Sequence, residues 1–286
     1  MNGDIRTIAE VALRAARLGP LRSLHEIGGG SAAAYRVESD AQLAFLKVGP
    51  AAHPFEAEAQ ALEEIAATAT LRVPSVLACG VEGRAGYLLL EWIDFAESGD
   101  WAAAGRQLAR LHACTRPNFG WPRENTIGVS PQFNTPSSNW AAFYRERRLR
   151  PQFALAADGG LQRLADLEAK ACAASDALLD AHAPEAGLLH GDLWRGNLAF
   201  DAHGQPVVFD PATYYGDAET DLAMSRLFGG FPQSFYRAYA DVRPPQPGAG
   251  ARLPLYQLYH VLNHANLFGG GYIAQAIALI ERLSQR

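Results

Sequence analysis

The sequence predicts an α+β protein in which a small lobe with an antiparallel sheet precedes a larger, mainly helical lobe. Before residue 91, segments with alternating apolar residues predominate, and such alternation is typical of half-buried strands. One helical pattern is embedded among them at residues 53–69. After residue 91 the apolar residues recur mostly at helical spacing. We therefore predict a first domain over residues 1–91 and a second over residues 92–286.

The elements of the first lobe follow from local patterns. The segment IRTIAEVALRAARLG is amphipathic and ends at Gly19-Pro20, which predicts a helix. The segments LHEIGGGSAAAYRVES and AQLAFLKVG alternate on either side of a polar turn. The embedded helix, HPFEAEAQALEEIAATA, carries Phe55, Ala59 and Leu62 at helical spacing. SVLACGVEG and AGYLLLEWI predict another strand pair. With the first segment divided at its glycine run, we expect five strands in this lobe.

The second lobe is predicted to be helical, with one hairpin. WAAAGRQLARLHACT, the region around Trp140 and residues 160–182 each predict a helix. LAF and PVVFD surround a turn at residues 201–204 and predict a β-hairpin. From TDLAMSRLFGG onward the chain reads as mostly helical, with glycine- and proline-rich joints. The basic run RERRLR, residues 145–150, is interpreted as a solvated helix face.

Composition and charge exclude several classes of protein. Hydrophobic residues make up 49% of the chain and charged residues 19%, which describes a globular rather than a disordered protein. The net charge of −5 argues against a nucleic-acid or anionic-membrane partner, since both usually require a basic face. Three cysteines without CxxC spacing indicate neither a disulfide framework nor a zinc site. With no apolar leader or membrane-spanning run, the sequence predicts a cytoplasmic protein; a monomer is slightly favoured.

A polar cluster in the second lobe suggests phosphoryl-transfer chemistry. Asp192 and Asn197 lie five residues apart, and Asp210 follows Asn197 by thirteen residues at the end of PVVFD. The predicted hairpin would return Asp210 to the side of Asn197, and two such oxygen ligands suit Mg²⁺. Asp192 could then accept a proton from a hydroxyl group that attacks a phosphoryl group. The alternative is that Asp192 and Asp210 only cap turns.

The first lobe offers matching groups for the phosphates. The chain keeps only two lysines among its 25 basic residues, and one of them, Lys47, lies in a predicted strand. Glu58, eleven residues later in the embedded helix, is the expected partner of Lys47, although the spacing does not exclude Glu56. The glycine run at residues 28–30 precedes Ser31 and could let main-chain N–H groups approach a phosphate. A flexible turn explains Gly28, Gly29 and Gly30 equally well.

The connector between the lobes is a candidate for binding the nucleotide base. YLLLEWIDF is apolar and then abruptly polar. The main chain of Glu91, Trp92 and Ile93 could meet the edge of an adenine, with leucine side chains lining its pocket. The alternative is a core strand that simply leaves the sheet.

Together these residues resemble the protein-kinase-like superfamily in its small-molecule branch. HGD-x4-N followed by an aspartate thirteen residues later is similar to the catalytic and metal-binding loops of that fold. Several segments more specifically resemble the fructosamine kinase (ketosamine-3-kinase) family: HGDLWRGN, FDPATYYGDAETDLAM, FGWPRENTIG, FYRERRLRPQ and YQLYHVLNHANLFGGGY. With the first lobe, they span nearly the whole chain.

The resemblance implies a two-lobe kinase fold and ATP-dependent phosphorylation of the sugar 3-hydroxyl of ketosamines, an activity associated with deglycation. By position, Asp192 would be the catalytic base, and Asn197 and Asp210 would hold Mg²⁺. Lys47 would bind phosphates, with Glu58 orienting it. The chain departs from protein kinases in two ways: Pro211-Ala212 follows the metal aspartate, and GGGSAAA replaces the spaced glycines.

The acceptor side is predicted around two aromatic segments. Trp194, two residues after Asp192, offers an apolar face for a sugar ring and an N–H donor; the alternative is packing beneath the loop. Tyr214, Tyr215 and Asp217 could line the acceptor site, and a carboxylate would pair with the secondary ammonium of a ketosamine. Asp217, Glu219 and Asp221 could equally cap the following helix.

Two other functions stay open at the level of sequence. One is a kinase of the same fold that acts on an aminoglycoside, an amino acid or choline. The other is an inactive nucleotide-binding scaffold, against which the presence of Lys47, Asp192, Asn197 and Asp210 argues.

Overall fold

The computed structural model describes residues 2–30 and 32–285. The elements, in chain order, are α1 (Asn2–Ala15), β1 (Leu21–Gly29), β2 (Ala33–Ser39), β3 (Leu43–Pro50), α2 (Phe55–Ala67), β4 (Val76–Glu82), β5 (Ala85–Glu91), β6 (Phe95–Ala96), α3 (Trp101–His112), β7 (Thr115–Arg116), β8 (Asn125–Ile127), β9 (Ser130–Gln132), α4 (Trp140–Tyr144), α5 (Arg150–Asp158), α6 (Gln162–Ala165), α7 (Glu168–Leu179), β10 (Ala186–Leu189), β11 (Leu198–Asp201), β12 (Pro206–Val208), β13 (Tyr214–Gly216), α8 (Glu219–Met224), α9 (Gln233–Val242), α10 (Ala249–Phe268) and α11 (Gly271–Leu283). A π-helical turn, Arg145–Leu149, joins α4 to α5, and a 3₁₀ turn, Arg195–Asn197, precedes β11.

The chain divides into two compact units. The first comprises Met1–Asp100 and Leu198–Pro211, and the second comprises Trp101–Asn197 and Ala212–Arg286. The hairpin formed by β11 and β12 therefore belongs to the first unit, although the second unit both precedes and follows it in the chain.

The first unit is built on a five-stranded antiparallel sheet with the order β1-β2-β3-β5-β4, which confirms the predicted five strands. The apolar side of α1, including Ile8 and Leu13, packs with Val37, Leu46 and Leu89 of the sheet. This packing explains the alternation of β3, because its even-numbered residues from Ala44 to Val48 are buried in that core. The odd-numbered residues of β3, including Lys47, point to the opposite face.

The hairpin of β11 and β12 is present as predicted, and its register pairs Leu198 with Val208. Strand β6 pairs with β11 on the other side and completes a three-stranded sheet in the first unit. Arg72 adds an isolated parallel bridge to Val207. The segment just after Glu91 is thus joined to the hairpin that leads to Asp210.

The second unit is mainly helical and also contains two small sheets. Strand β10 lies between β13 and β7 in one of them, and β8 and β9 form the other as a hairpin. The single helix predicted over residues 160–182 is divided into α6 and α7. Along α10, most residues from Pro254 to Asn263 are buried, so this helix lies in the interior of the unit.

The interpretation of residues 145–150 as a solvated face is wrong for Arg148, whose side chain is fully buried. Its guanidinium carbon lies 3.8 Å from the centroid of the Tyr214 ring and 4.7 Å from that of Phe143. The π-helical turn shifts the register of the helix face at this point, so sequence periodicity alone could not indicate it.

Among the described residues, none of the helices combines the length and the apolar character needed to span a membrane.

Candidate active site

Lys47 is the centre of a charge cluster in the first unit. Its register on β3 places it between Ala34 of β2 and Leu88 of β5. The Lys47 Nζ donates to Glu58 Oε1 at 2.7 Å and also to a carboxylate oxygen of Asp210. The structure thus confirms the predicted pairing of Lys47 with Glu58 and adds Asp210, so that a strand, a helix and the end of a hairpin meet.

Burial and charge act against each other at this cluster. Burial alone would lower the pKa of the Lys47 ammonium, but the carboxylates of Glu58 and Asp210 outweigh it and raise the pKa above its usual value. Lys47 therefore stays protonated over the whole working pH range. Burial raises the pKa of Glu58, against the effect of Lys47.

The structure also distinguishes Glu58 from Glu56. The Glu58 side chain is 14% exposed and contacts Lys47, whereas Glu56 lies on the exposed side of α2. Two positions along a helix differ by about half a turn, so only one of the two glutamates can face the sheet.

Asp210 combines accessibility with an unusual backbone. Its side chain is 49% exposed, in contrast to the 14% of Lys47. Its φ is +55°, in the left-handed region that residues other than glycine seldom adopt. Such backbone strain persists only where the surroundings enforce it, and it concentrates at functional sites.

The glycine-rich turn lies between β1 and β2, where Gly29 pairs with Ala33. Gly28 has a φ of +114°, and a Cβ on Gly29 would come within 2.4 Å of the Ala32 carbonyl oxygen. These two glycines are therefore needed for the turn itself. A Cβ on Gly30 would meet nothing within 4 Å. Ser31 lies outside the described residues.

The predicted base-binding connector starts at the end of β5. The Glu91 N–H donates to the Ser75 carbonyl at 2.9 Å, and the Glu91 carboxylate accepts from the Arg72 guanidinium at 2.7 Å. Trp92 Nε1 donates to Asp94 at 2.9 Å. Trp92 and Ile93 are half-buried and follow the strand without regular structure. Side-chain hydrogen bonds of Glu91 and Trp92 therefore hold the connector, while the main chain of Trp92 and Ile93 lies outside the sheet.

The loop with Asp192 is held in the second unit by a carboxylate. It follows β10, and the N–H groups of His190 and Gly191 donate to the two oxygens of Asp221, each at 2.8 Å. Asp221 is 1% exposed and also contacts His112 Nε2 at 3.1 Å. Burial would raise the pKa of Asp221, but the hydrogen bonds and charges of His112 and its neighbours outweigh it and lower the pKa.

Sequence reasoning did not recognise this function of Asp221, which it considered only as a helix cap. The available signal was weak: an aspartate within TYYGDAETDLAM that is followed by apolar residues. The main-chain N–H groups that such a carboxylate binds belong to residues of any type except proline. The sequence at those residues therefore carries no motif that would predict the contact.

Asp192 and Asn197 are brought together within this loop. Asn197 Nδ2 donates to the Asp192 carbonyl at 2.9 Å and to Asp192 Oδ2 at 3.2 Å. These two bonds orient the Asn197 side chain with its amide oxygen directed away from Asp192. Gly191, with a φ of +86°, allows the sharp turn into Asp192.

Trp194 lies over the same loop. A Cβ on Gly196 would approach its ring to 2.3 Å, so the glycine is required for the indole to adopt this position. The ring is half-buried, and its edge-to-face contact with Phe228 has a centroid distance of 5.8 Å. Phe228 in turn packs against His264 at 4.8 Å.

Tyr214, Tyr215 and Asp217 lie in the interior, at 2%, 6% and 3% exposure. Asp217 Oδ2 contacts His182 Nε2 at 2.7 Å and accepts from the Tyr256 hydroxyl at 2.6 Å. The acceptor role predicted for these three residues stays a prediction that none of these contacts supports.

Comparison with known proteins identifies the relatives of this chain. The sequence model of the family described as fructosamine kinase matches residues 6–286. The chain is 46% identical, over 80% of its length and 78% of the relative, to a protein of Synechocystis sp. named "Probable ketoamine kinase". It is 41% identical to the chloroplastic protein-ribulosamine 3-kinase of Arabidopsis thaliana, over 96% of the chain and 86% of that protein.

Solved structures agree with these sequence relationships. The crystal structure of the "Putative fructosamine-3-kinase" from Haemophilus somnus superposes with a TM-score of 0.89 at 26% identity, over 96% of both chains. A thermostable mutant of the aminoglycoside phosphotransferase APH(4)-Ia superposes with a TM-score of 0.60 at 17% identity, over 96% of this chain and 98% of that one. The second likeness concerns the fold alone, and it confirms the predicted kinase-like α+β architecture.

Proposed function

The chain belongs to the fructosamine kinase family, and on that premise we propose that it transfers the terminal phosphoryl group of ATP to the 3-hydroxyl of a ketosamine. A ketosamine is a sugar joined to an amine by glycation, and its phosphorylation is the step that leads to deglycation. The relatives named ketoamine kinase and protein-ribulosamine 3-kinase support this substrate class.

The observation that carries the proposal is the ammonium of Lys47 between two carboxylates. Glu58 fixes the lysine side chain from the helix, so that its charge is already in place when a phosphate arrives. A compact, preorganised cation of this kind suits the α- and β-phosphates of a nucleotide. With only two lysines in the chain, the occurrence of one here is a specific feature of the site.

Asp192 is the proposed catalytic base. In the reaction, the substrate hydroxyl oxygen forms a bond to the γ-phosphorus while the bond from that phosphorus to the ADP oxygen breaks. The proton of the hydroxyl passes to the Asp192 carboxylate. The bond from Asn197 Nδ2 to Asp192 Oδ2 holds one carboxylate oxygen and fixes the direction of the other.

Asn197 and Asp210 are the proposed ligands of Mg²⁺. The ligand atoms that these residues offer suit Mg²⁺ in chemical type. Asp210 offers a half-exposed carboxylate, and Asn197 offers its amide oxygen, because its amide nitrogen donates to Asp192. Hard cations such as Mg²⁺ prefer oxygen ligands and few protein groups. When bound, the ion neutralises charge on the phosphates.

The remaining assignments concern the nucleotide base and the acceptor. We assign the main chain of Glu91–Ile93 to the adenine edge, and the glycines at residues 28–30, with Ser31 as predicted from the sequence, to the phosphates. Trp194 is assigned to the sugar, because its half-buried ring lies two residues from Asp192. The protein is proposed to act in the cytoplasm as a monomer, on free or protein-bound ketosamines and without a nucleic-acid partner.

A kinase acting on an aminoglycoside or on choline is the main alternative. The structural likeness to an aminoglycoside phosphotransferase shows the fold alone at 17% identity, whereas relatives at 41–46% identity carry ketosamine kinase names. An inactive scaffold is disfavoured because Lys47, Asp192, Asn197 and Asp210 are all present.

A substrate panel tests the proposal directly. Purified protein with ATP and Mg²⁺ is offered a fructosyl-amine, a ribulosyl-amine, an aminoglycoside and choline, and phosphorus NMR locates the new ester. We expect phosphorylation of the ketosamines at the 3-hydroxyl. Efficient turnover of an aminoglycoside with no ketosamine phosphorylated would refute it.

The variant Asp192→Asn tests the base within the same assay. We expect turnover to fall by roughly 10²–10⁴-fold, while nucleotide affinity measured by calorimetry stays nearly unchanged. Asp158→Asn, at an exposed position of the second unit, is the matched control and should retain activity.

A further inference from the structure

We propose that Gln132 is a positioning residue for the loop that carries Asp192, acting through the main chain of Ala212. This inference rests on the proposed kinase function. It concerns a side chain in the hairpin of β8 and β9, remote in sequence from both Asp192 and Asp210, and it assigns that hairpin a part in turnover.

Gln132 uses its whole amide within the interior of the second unit. The residue is 1% exposed. Its Nε2 donates to the Ala212 carbonyl at 3.0 Å and to Asn125 Oδ1 at 2.8 Å, and its Oε1 accepts from the Tyr259 hydroxyl at 2.8 Å. A buried amide that lost these partners would incur a cost, so the arrangement strongly favours a single rotamer.

Ala212 passes this constraint on to the loop. Its N–H donates to the His190 carbonyl at 2.9 Å, while its own carbonyl is the group that Gln132 holds. A Cβ on Gly191 would lie 2.0 Å from the Ala212 carbonyl oxygen, so the two main-chain segments are packed as closely as glycine allows. The Asp192 N–H then donates to His190 Nδ1 at 3.2 Å. Gln132 is thus joined to the base through one intervening peptide segment.

A second amide fixes the next carbonyl in the same way. Asn125, which is paired with Gln132 in the register of the hairpin, donates from Nδ2 to the Thr213 carbonyl at 2.8 Å. Asn134 Nδ2 donates to Asn125 Oδ1 at 2.7 Å, and Arg148 donates to Asn134 Oδ1 at 2.8 Å. Two successive carbonyls are therefore held by a network of buried polar side chains.

The placement of this network is what points to function. Ala212 and Thr213 follow Asp210, with its left-handed backbone, by two and three residues in the chain. A hydrophobic core would stabilise the fold without these amides, whereas they fix one particular stretch of main chain. Positioning errors of about 1 Å at a reacting group can cost roughly 10²-fold in rate.

The test compares Gln132 with another buried polar side chain of the same unit. Gln132→Met removes the amide and keeps the volume of the side chain. Ser225→Ala is the matched control, because Ser225 is also fully buried and its hydroxyl donates to the Leu222 carbonyl at 2.9 Å rather than to this network. Both variants should lose stability, since each removes a buried hydrogen bond.

We expect Gln132→Met to lower kcat by roughly 10- to 100-fold while the KM values for ATP and the ketosamine stay within about twofold of wild type. Amide hydrogen exchange should become faster in the peptides that contain His190 and Ala212. Ser225→Ala should leave both kcat and exchange in these peptides unchanged. An unchanged kcat in Gln132→Met, or an equal loss in the two variants, would overturn the proposal.

The exchange measurement separates this proposal from the proposed function. If the wild-type protein phosphorylated no ketosamine, the function would be refuted, while unchanged exchange in Gln132→Met would refute the positioning role independently. Should Gln132→Met fail to fold, Tyr259→Phe removes the hydroxyl that donates to Gln132 Oε1. This variant should lower kcat and accelerate amide exchange in the peptides that contain His190 and Ala212, as expected for Gln132→Met. Failure to do both would overturn the proposal.

Discussion

The charge cluster of the first unit and the Asp192 loop of the second unit are organised in opposite ways. Lys47, Glu58 and Asp210 meet through their side chains. Around Asp192, by contrast, the main chain is what is held: Asp221 binds the N–H groups of His190 and Gly191, and Gln132 binds the carbonyl of Ala212. The groups proposed to bind a ligand can therefore be recognised by residue type. The groups that hold the main chain can be far away in sequence and of several types.

The difference extends to charge. In the first unit the ammonium of Lys47 lies against two carboxylates, and Asp210 remains half-exposed. Beside the Asp192 loop of the second unit, the buried carboxylate of Asp221 accepts two main-chain N–H bonds and contacts His112. The first arrangement is open to a charged ligand, and the second is closed to solvent.

The largest effect is expected from breaking the charge cluster. Lys47→Met should lower kcat/KM by roughly 10²–10³-fold, the range found when one preorganised donor to a developing charge is removed. Lys47→Arg should not restore activity, because a planar guanidinium cannot replace a compact ammonium between two carboxylates. Initial rates at varied ATP measure both variants.

The chain itself provides the control for this experiment. Lys170 is the only other lysine and is exposed on α7, so Lys170→Met removes the same charge without touching the site. Wild-type activity in Lys47→Met would contradict the phosphate-binding role of the cluster.

A smaller effect is expected when the holding carboxylate of the second unit is altered. Asp221→Asn keeps the shape of the side chain but replaces one acceptor with an NH₂ group that faces a main-chain N–H. Misplacement of the loop should lower kcat by roughly 10- to 100-fold, and thermal unfolding should show a loss of about 1.5–3 kcal/mol, as for a hydrogen bond to a charged group.

Asp176→Asn is the control for Asp221→Asn, because Asp176 is an ion-paired aspartate of the same unit on α7. If Asp221→Asn kept full turnover despite reduced stability, Asp221 would be a residue of the core rather than a support of the loop.

The smallest effect concerns pH and tests whether Asp221 is ionised in the folded protein. Its pKa is lowered in the folded state, so its ionised form stabilises the fold above the unfolded-state pKa of about 3.9. This contribution is lost as the pH falls through the lower, folded-state pKa. The stability difference between wild type and Asp221→Asn should thus be constant above about pH 5 and shrink below about pH 4. A difference that stays constant under acid conditions, measured by denaturant unfolding, would contradict an ionised Asp221.

Much of the fold was predictable because it depends on periodic patterns. The five strands of the first sheet, α2 and the hairpin of β11 and β12 all follow from local alternation and turn residues. The short strands β7 and β13 were not predictable, since two or three residues carry no periodicity. Arg148 was misinterpreted for a related reason: a π-helical turn changes which side chains of a helix face inward.

By itself, the sequence determined the fold class, the family resemblance and the side chains proposed to act on ATP and the acceptor. These depend on residue type and spacing, which the sequence displays directly. Only the tertiary structure decided that Glu58 rather than Glu56 meets Lys47, and that Asp221 and Gln132 hold the main chain beside Asp192. The physical reason is that every residue but proline offers the same N–H and C=O groups. The residue type at a position therefore does not show whether a distant side chain binds its main chain.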